Sequence, residues 1–219
     1  MPQNWKSSTR IAGAWRSVFA CLCLTGAALL PAAAHADARS QAKRIHDRLA
    51  GVPPTEAVLT SMASDIAAGR ETEAAYTAMQ HRAFYDVTLK NFAMPWTNRD
   101  QTVFTPLNDY VATVIGMVRD DVAFDRVLYD DILYVGRSGL GVPGYSPSDN
   151  DHYAALESQG VSLKDNLVAT TQSAANGIPA EATAGVLTSR AAAQAFFVAG
   201  TNRAMFRYTL MNHLCTDLE

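Results

Sequence analysis

Apolar residues recur at spacings of three and four along most of the chain, a pattern that predicts α-helices. The main helices expected from this spacing cover residues 40–50, 53–68, 71–92, 105–118, 151–159, 162–170, 189–198 and 202–215. A short helix with Phe124, Val127 and Leu128 is expected after Asp120 and Asp121, which would cap it. The fold predicted from this pattern is mostly α, an irregular multi-helix bundle.

Two long loops and one short strand interrupt the helices. The first loop, from Gly136 to Asn150, is rich in Gly, Pro and Ser, and the second surrounds Asn176-Gly177-Ile178-Pro179. Ile132–Val135 is the only segment that we expect to be a strand. In the long helix from Glu71 to Phe92, one apolar stripe is expected to hold Ala75, Met79, Ala83 and Val87.

The N-terminal segment has the pattern of a cleavable signal peptide. Its basic residues are Lys6, Arg10 and Arg16. An uncharged run of 13 residues, Val18–Leu30, follows, which is shorter than the roughly 20 residues needed to span a bilayer. Small residues then offer cleavage after Ala36 or Ala38. We therefore expect residues 1–38 to be a signal peptide and residues 39–219 to be a single helical domain, periplasmic or secreted, with no stable membrane anchor.

Cysteine use and charge narrow the possible partners. The segment Val18–Cys21 faintly suggests a lipidation site, but the apolar run continues past Cys21, which favours a discarded signal. Only Cys215 remains after cleavage, so no intrachain disulfide and no C-x-x-C-H haem attachment is expected. The net charge of −3 falls to about −5 or −6 when the three basic residues of the signal are removed, which argues against nucleic acid as a partner.

The histidines and a series of acidic residues are the candidate groups for metal binding or catalysis. His46, His81, His152 and His213 are far apart in the sequence and lack metal-ligand spacing, so we expect no metal site and no cofactor in this chain. An acidic series could supply paired carboxylates for hydrolysis, although helix capping and solvent exposure are the simpler interpretation. Its members are Asp120, Asp121, Asp125, Asp130 and Asp131.

The remaining motifs of the sequence do not identify a catalytic residue. The segment Ser146–Asp151 resembles the start of a calcium loop but lacks the later glycine and glutamate, and it is better suited to capping the next helix. No G-x-S-x-G, P-loop or G-x-G-x-x-G is present. An aromatic group could line a pocket, although core packing is the simpler interpretation. The group consists of Tyr85, Phe92, Trp96, Phe104 and Tyr110.

Three stretches together resemble a known family. Residues Arg44–Thr55 are similar to the "R-x-x-L-T-G-x-P-P-T" opening of large secreted proteins first noted in planctomycetes. Phe124–Tyr134 resembles their aromatic-led helix and following strand, and the late stretch from Gly185 to Cys215 resembles their "G-x-L-T … T-x-x-x-R" segment. Those helical domains accompany c-type cytochrome modules and have no established catalytic role, so the resemblance implies a c-type haem domain as partner and supplies no catalytic residue.

The final helix is still periodic where the sequence stops at Glu219. Two expectations stay open there: a partner domain follows downstream, or the helix ends in solvent. The leading hypothesis is an exported helical module that serves as scaffold or docking part of a cytochrome c-associated periplasmic protein. The alternatives are an independent periplasmic hydrolase that uses the acidic series, and a small-ligand-binding domain.

Overall fold

A computed structural model describes residues 37–197 and 202–217, and its helical elements belong to a compact unit that begins at Ala38. The described residues are mainly helical, which confirms the mostly-α prediction. The α-helices are α1 (Ala38–Leu49), α2 (Glu56–Ala67), α3 (Glu71–Met79), α4 (Lys90–Ala93), α5 (Asp109–Arg119), α6 (Asp151–Ser158), α7 (Leu163–Asn166), α8 (Gln172–Asn176), α9 (Arg190–Ala192) and α10 (Asn202–Leu214). The 3₁₀-helices are Met94–Thr97, Phe124–Leu128 and Ala180–Ala182, and the π-helices are Phe84–Leu89 and Ala193–Phe197.

The first three helices pack on one another and enclose a small apolar cluster. Gly51 (φ +70°) and Gly69 (φ +73°) follow α1 and α2 in left-handed conformations that suit glycine, as the predicted helix ends require. The Thr55 hydroxyl accepts the Val58 N–H at the start of α2. The helix α1 begins at Ala38, two residues before the predicted start at residue 40. The buried residues of this cluster are Ala42, Met62, Ile66, Ala74 and Ala78.

The predicted long helix from Glu71 to Phe92 is wrong in its continuity and in its buried stripe. The helix α3 ends at Met79, and the chain resumes as a π-helix over Phe84–Leu89. A π-helix has more residues per turn than an α-helix, so the apolar spacing of α3 cannot continue through it. Phe84, Tyr85 and Leu89 are buried, whereas Val87 of the expected stripe is exposed.

The helix α5 is the centre of the larger apolar cluster, and every residue from Asp109 to Met117 is buried. It begins later than the predicted start at residue 105, because Asn108 caps it: the Asn108 side-chain oxygen Oδ1 accepts the Val111 N–H at 3.1 Å. The strands, α7 and α9 all pack against it. A helix that is surrounded on all sides has apolar residues around most of its circumference, which explains why apolar residues are so frequent in α5.

A two-stranded antiparallel sheet replaces part of a predicted helix. Strand β1 (Leu133–Gly136) pairs with β2 (Leu167–Thr170), and Leu133 lies opposite Thr170. The helix expected over residues 162–170 is therefore wrong beyond Asn166. The four-residue β2 is too short for its spacing to be distinguished from a helix, and its pairing partner lies more than 30 residues earlier.

The first and one of the last predicted segments lie partly outside the described residues. The helix predicted over residues 189–198 consists of α9 and the π-helix Ala193–Phe197. Nearly all of the predicted signal peptide, residues 1–36, lies outside the described residues. Within the described part, no helix is long and apolar enough to cross a membrane.

Candidate functional site

The acidic series does not form one site. The carboxylate of Asp120 accepts two hydrogen bonds from the neighbouring Arg119 guanidinium, at 2.7 and 2.8 Å, and one from the Tyr134 hydroxyl at 2.8 Å. The Arg119 guanidinium holds the pKa of Asp120 below its ordinary value. Asp121 has a left-handed backbone (φ +51°). No side-chain cap bond is found at the 3₁₀-helix Phe124–Leu128, so the predicted capping by these two residues is wrong.

The remaining members of the series lie in separate environments. Asp125 is exposed, and Asp130 pairs with Arg126 one helical turn away. Asp131 accepts the backbone N–H of Ser173 at 3.0 Å near the start of α8. Each carboxylate of the series therefore has its own local surroundings, and the contacts of the series do not bring two of them together for acid–base catalysis.

Two of the histidines hold backbone segments in place. The His152 ring is buried, its Nδ1 lies 2.6 Å from the Pro143 carbonyl oxygen, and its Nε2 accepts the Gly136 N–H at 2.9 Å. Because Nε2 accepts a hydrogen bond, Nδ1 is the ring nitrogen that donates to the Pro143 carbonyl oxygen. His152 therefore joins both ends of the predicted first loop. His46 is also buried, and its Nδ1 lies 2.7 Å from the Val52 carbonyl oxygen.

The described residues contain no group of three or more His, Cys, Asp or Glu side chains that could hold a metal ion. The segment Ser146–Asp151 supports the start of α6, because the Asp149 carboxylate accepts the Asp151 N–H at 3.1 Å. Cys215 is exposed. A cysteine near the end of an apolar helix is more often a packed core residue, but α10 ends at Leu214, one residue before Cys215.

The predicted aromatic group is divided among three places. Trp96 contacts Phe92 edge-on, with ring centroids 4.9 Å apart, and lies 5.4 Å from the His213 ring. Tyr85 packs on Phe84 within the core, and Phe104 is 91% exposed. The expectation that all five aromatic residues pack in the core is wrong for Phe104 and for Phe92, which is 58% exposed.

His213 connects α10 to the core. The hydroxyl of the buried Tyr110 lies 2.8 Å from His213 Nε2, and the Asn212 side-chain amide donates to the Trp96 carbonyl oxygen at 3.2 Å. Burial lowers the pKa of His213 and raises that of Tyr110, so the neutral pair is favoured, with the tyrosine hydroxyl as donor. The sequence places these residues more than 100 positions apart, so spacing gave no indication of this contact.

No sequence motif indicates the pocket that the structure shows around Arg190. Its volume is about 350 Å³. A second concavity of about 530 Å³ shares Asn150, Arg190 and Gln194 with it. The lining of the first pocket is Thr97, Asn98, Thr105, Pro106, Asn108, Asn150, Arg190, Ala191, Gln194 and Ala195.

A buried carboxylate fixes the backbone on which Arg190 lies. Asp109 is fully buried, and its oxygens accept the backbone N–H groups of Arg190 at 2.6 Å, Ala191 at 3.0 Å and Tyr110 at 3.0 Å. Burial raises the pKa of Asp109, and the backbone donors together with the Arg190 charge partly oppose that rise. A single acid inside an apolar helix was the only sequence sign of this arrangement.

The comparisons with known proteins provide no family. No protein-family model, no curated protein and no solved structure matches this chain. The similarity to the planctomycete-type secreted proteins therefore stays a prediction from the residues quoted above.

Proposed function

We propose that this chain is an exported helical module that acts as scaffold or docking part of a cytochrome c-associated periplasmic protein. The partner would be a c-type haem domain. The export-type N-terminal pattern and the three stretches that resemble the planctomycete-type proteins support this proposal. The observation that carries it in the structure is an exposed apolar band on and beside α10.

This apolar band consists of the exposed Phe92, Phe206 and Leu214 and the half-buried Trp96 and Leu210. Phe206, Leu210 and Leu214 are four residues apart, so they lie along one face of α10. Phe206 is 60% exposed and Leu214 is 61% exposed, while Met205 and Tyr208 pack inward against the larger core. Trp96 contacts both Phe92 and His213, and His213 precedes Leu214 on α10.

A band of this kind suits a protein partner better than a small molecule. Contiguous exposed apolar residues mark interaction surfaces, and aromatic residues are enriched in the centres of such surfaces. The negative net charge of the chain favours a partner whose contact surface has a basic rim. The separated carboxylates described above give the hydrolase alternative no comparable support.

The experiment begins with the native organism's periplasmic fraction, in which the product is captured with an antibody, stained for haem and weighed intact. We expect a haem-positive band, either the product itself or a protein that co-purifies with it. A haem-negative product at the processed mass, with no haem protein captured, would contradict the proposal.

A pair of variants then tests the surface. Phe206→Ser combined with Leu214→Ser removes two exposed apolar side chains of the band and should reduce capture of the haem protein at least about tenfold. Phe104→Ser is the matched control, because Phe104 is equally apolar and more exposed but lies outside the band. Equal loss of capture with Phe104→Ser would show that the band is not the docking surface.

A further inference from the structure

The sequence offers two ends for the predicted signal peptide, and the start of the first helix lies beside both of them. Cleavage after Ala36 would make Asp37 the first residue of the exported chain, whereas cleavage after Ala38 would make Arg39 the first. Asp37 lies outside regular secondary structure, and α1 begins at Ala38. The bond before Asp37 therefore precedes the helix, and the bond before Arg39 lies within its first turn.

Ala38 is a packed residue of the first three helices. Its side chain is partly buried and lies against the small apolar cluster that α1, α2 and α3 enclose. The compact unit of the chain also begins at this residue. Cleavage after Ala38 would remove it from the exported chain, together with its packing contact.

Arg39 connects the start of α1 to the start of α2. One terminal nitrogen of its guanidinium donates to both carboxylate oxygens of Glu56, at 2.7 and 2.6 Å. These hydrogen bonds hold the pKa of the Glu56 carboxyl below its ordinary value. The first residues of a chain are poorly ordered unless other contacts hold them. An Arg39 that is itself the first residue would therefore hold Glu56 less firmly than an Arg39 with two residues before it.

Asp37 places a negative charge at the start of α1. It lies at the position before the first helical residue, the N-cap, where aspartate is preferred, and the first turn of α1 contains no acidic residue. Cleavage also creates a new α-ammonium group, which is unfavourable at the positive end of a helix. In a chain that begins at Asp37 this charge lies beside a carboxylate. In a chain that begins at Arg39 it would add to the charge of the guanidinium.

We infer that processing hydrolyses the Ala36–Asp37 peptide bond, so that the exported chain begins at Asp37 and not at Arg39 as the predicted domain boundary has it. Water is consumed, Ala36 retains the new carboxylate and Asp37 receives the new amino group. Ala34 and Ala36 supply the two small residues of the A-x-A pattern. Signal peptidases cut the extended chain during export, and only the longer of the two products retains a complete α1. The inference rests on the export that is part of the proposed function.

The test is N-terminal sequencing and intact mass measurement of the product in the periplasmic fraction. We expect a chain that covers residues 37–219. A chain that begins at Arg39, or at any other residue after a cut, would overturn the inference and leave the export standing. A product that still carries residues 1–36 would contradict the export itself, and the inference would fail with it. The two failures are therefore distinguishable.

Two variants of the full chain separate the candidate bonds, because the A-x-A pattern needs small residues at its first and last positions. Ala34→Glu alters only the pattern that ends at Ala36, and the altered residue is removed with the signal. The yield of the Asp37 product should fall at least about tenfold. Ala38→Glu alters only the pattern that ends at Ala38, and glutamate suits the first turn of a helix, so cleavage before Asp37 should continue. The reverse pair of results would overturn the inference.

A second pair of variants tests whether the exported product uses Asp37. Asp37→Ala removes the N-cap side chain and should lower the unfolding temperature by about 2–4 °C, the shift expected for one cap in a domain of this size. Asp37→Asn retains a side chain that caps helices equally well and should unfold close to the unaltered protein. An unchanged unfolding temperature in Asp37→Ala would show that the fold does not use Asp37, which would count against a boundary before it.

Discussion

The first three helices and the region around α5 reach stability in different ways. The helices α1, α2 and α3 follow one another in the chain and enclose five buried apolar residues, three of them alanines, although His46 of α1 is also buried. The region around α5 combines regular and irregular elements from most of the rest of the chain. Its core also contains buried polar residues, among them Asp109, His152 and Gln172.

In the α5 region, polar side chains form hydrogen bonds with backbone groups that regular secondary structure would otherwise pair. The Gln172 amide donates to the carbonyl oxygens of Ile132 and Gly185, and His152 holds Gly136 and Pro143. Loops buried in a core carry backbone groups that must be paired. Side-chain hydrogen bonds therefore take the place of the backbone hydrogen bonds of helices and sheets, and several of them connect segments that are distant in the sequence.

The sharpest test of this contrast is Asp109→Ala. The substitution leaves three backbone N–H groups of the α5 region without their acceptor, so the free energy of unfolding should fall by about 3–5 kcal/mol. Asp65→Ala in α2 is the matched control, because its partner Arg70 lies at the surface and an exposed pair contributes at most about 1 kcal/mol. Urea denaturation measures both. Similar losses for the two variants would contradict the contrast.

The second test concerns close packing at a glycine. A Cβ at Gly116 would lie 2.1 Å from the ring of the buried Tyr134, so Gly116→Ala should cost about 3 kcal/mol even though alanine favours helix. A Cβ at Gly69 would meet open space, so the substitution strains only the left-handed backbone (φ +73°). Gly69→Ala should therefore lower the free energy of unfolding by about 1 kcal/mol. Thermal unfolding distinguishes the two. A larger loss for Gly69→Ala would show that backbone strain outweighs packing.

The same contrast explains how far the sequence could predict the fold. The helix ends at Gly51 and Gly69 depend on residues within one turn, so local patterns identified them correctly. The π-helix after α3 and the strand β2 depend on distant partners, and local patterns predicted an α-helix for both segments. The strand at Leu133 was predicted correctly, but its pairing with Thr170 was not. Local spacing carries no information about such partners.

The candidate sites show the same limit, because sequence spacing does not reveal which distant residues come together. The Arg190 pocket brings together Asn98, Asn150 and Arg190, which are far apart in the chain, and no short motif joins them. The acidic series was conspicuous because its members are close in sequence, yet the structure separates them. Closeness in sequence therefore overstated one site and concealed another.

A third, smaller test compares the same capping role in the two regions. Asn108→Ala removes the cap of α5 and also the buried bond to Thr97, so we expect a loss of about 2 kcal/mol. Thr55→Ala removes only a 3.4 Å bond at the exposed start of α2, and we expect about 0.5 kcal/mol. Chemical denaturation of both variants measures the difference. Equal losses would show that the buried surroundings of Asn108 add nothing to its cap.

The smallest expected effect is the pH response of the contact between α10 and the core. Burial lowers the pKa of His213 in the folded protein below its value of 6.5 in the unfolded chain. Above pH 6.5 both states are neutral, and the folded state loses stability as the pH falls from 6.5 through the lowered pKa, because the unfolded chain binds the proton first.

The fluorescence of Trp96, which lies against the His213 ring, reports this titration locally. It is obtained as the difference between the protein and its Trp96→Phe variant, since Trp5 and Trp15 also fluoresce in the full chain. We expect the Trp96 emission and the unfolding temperature to change together below pH 6.5, and His213→Phe to abolish both changes. The first three helices lack this contact, so the Trp96 signal reports on the α5 region and not on them. A Trp96 signal that persists in His213→Phe would assign the pH response to another group and would remove α10 from the comparison.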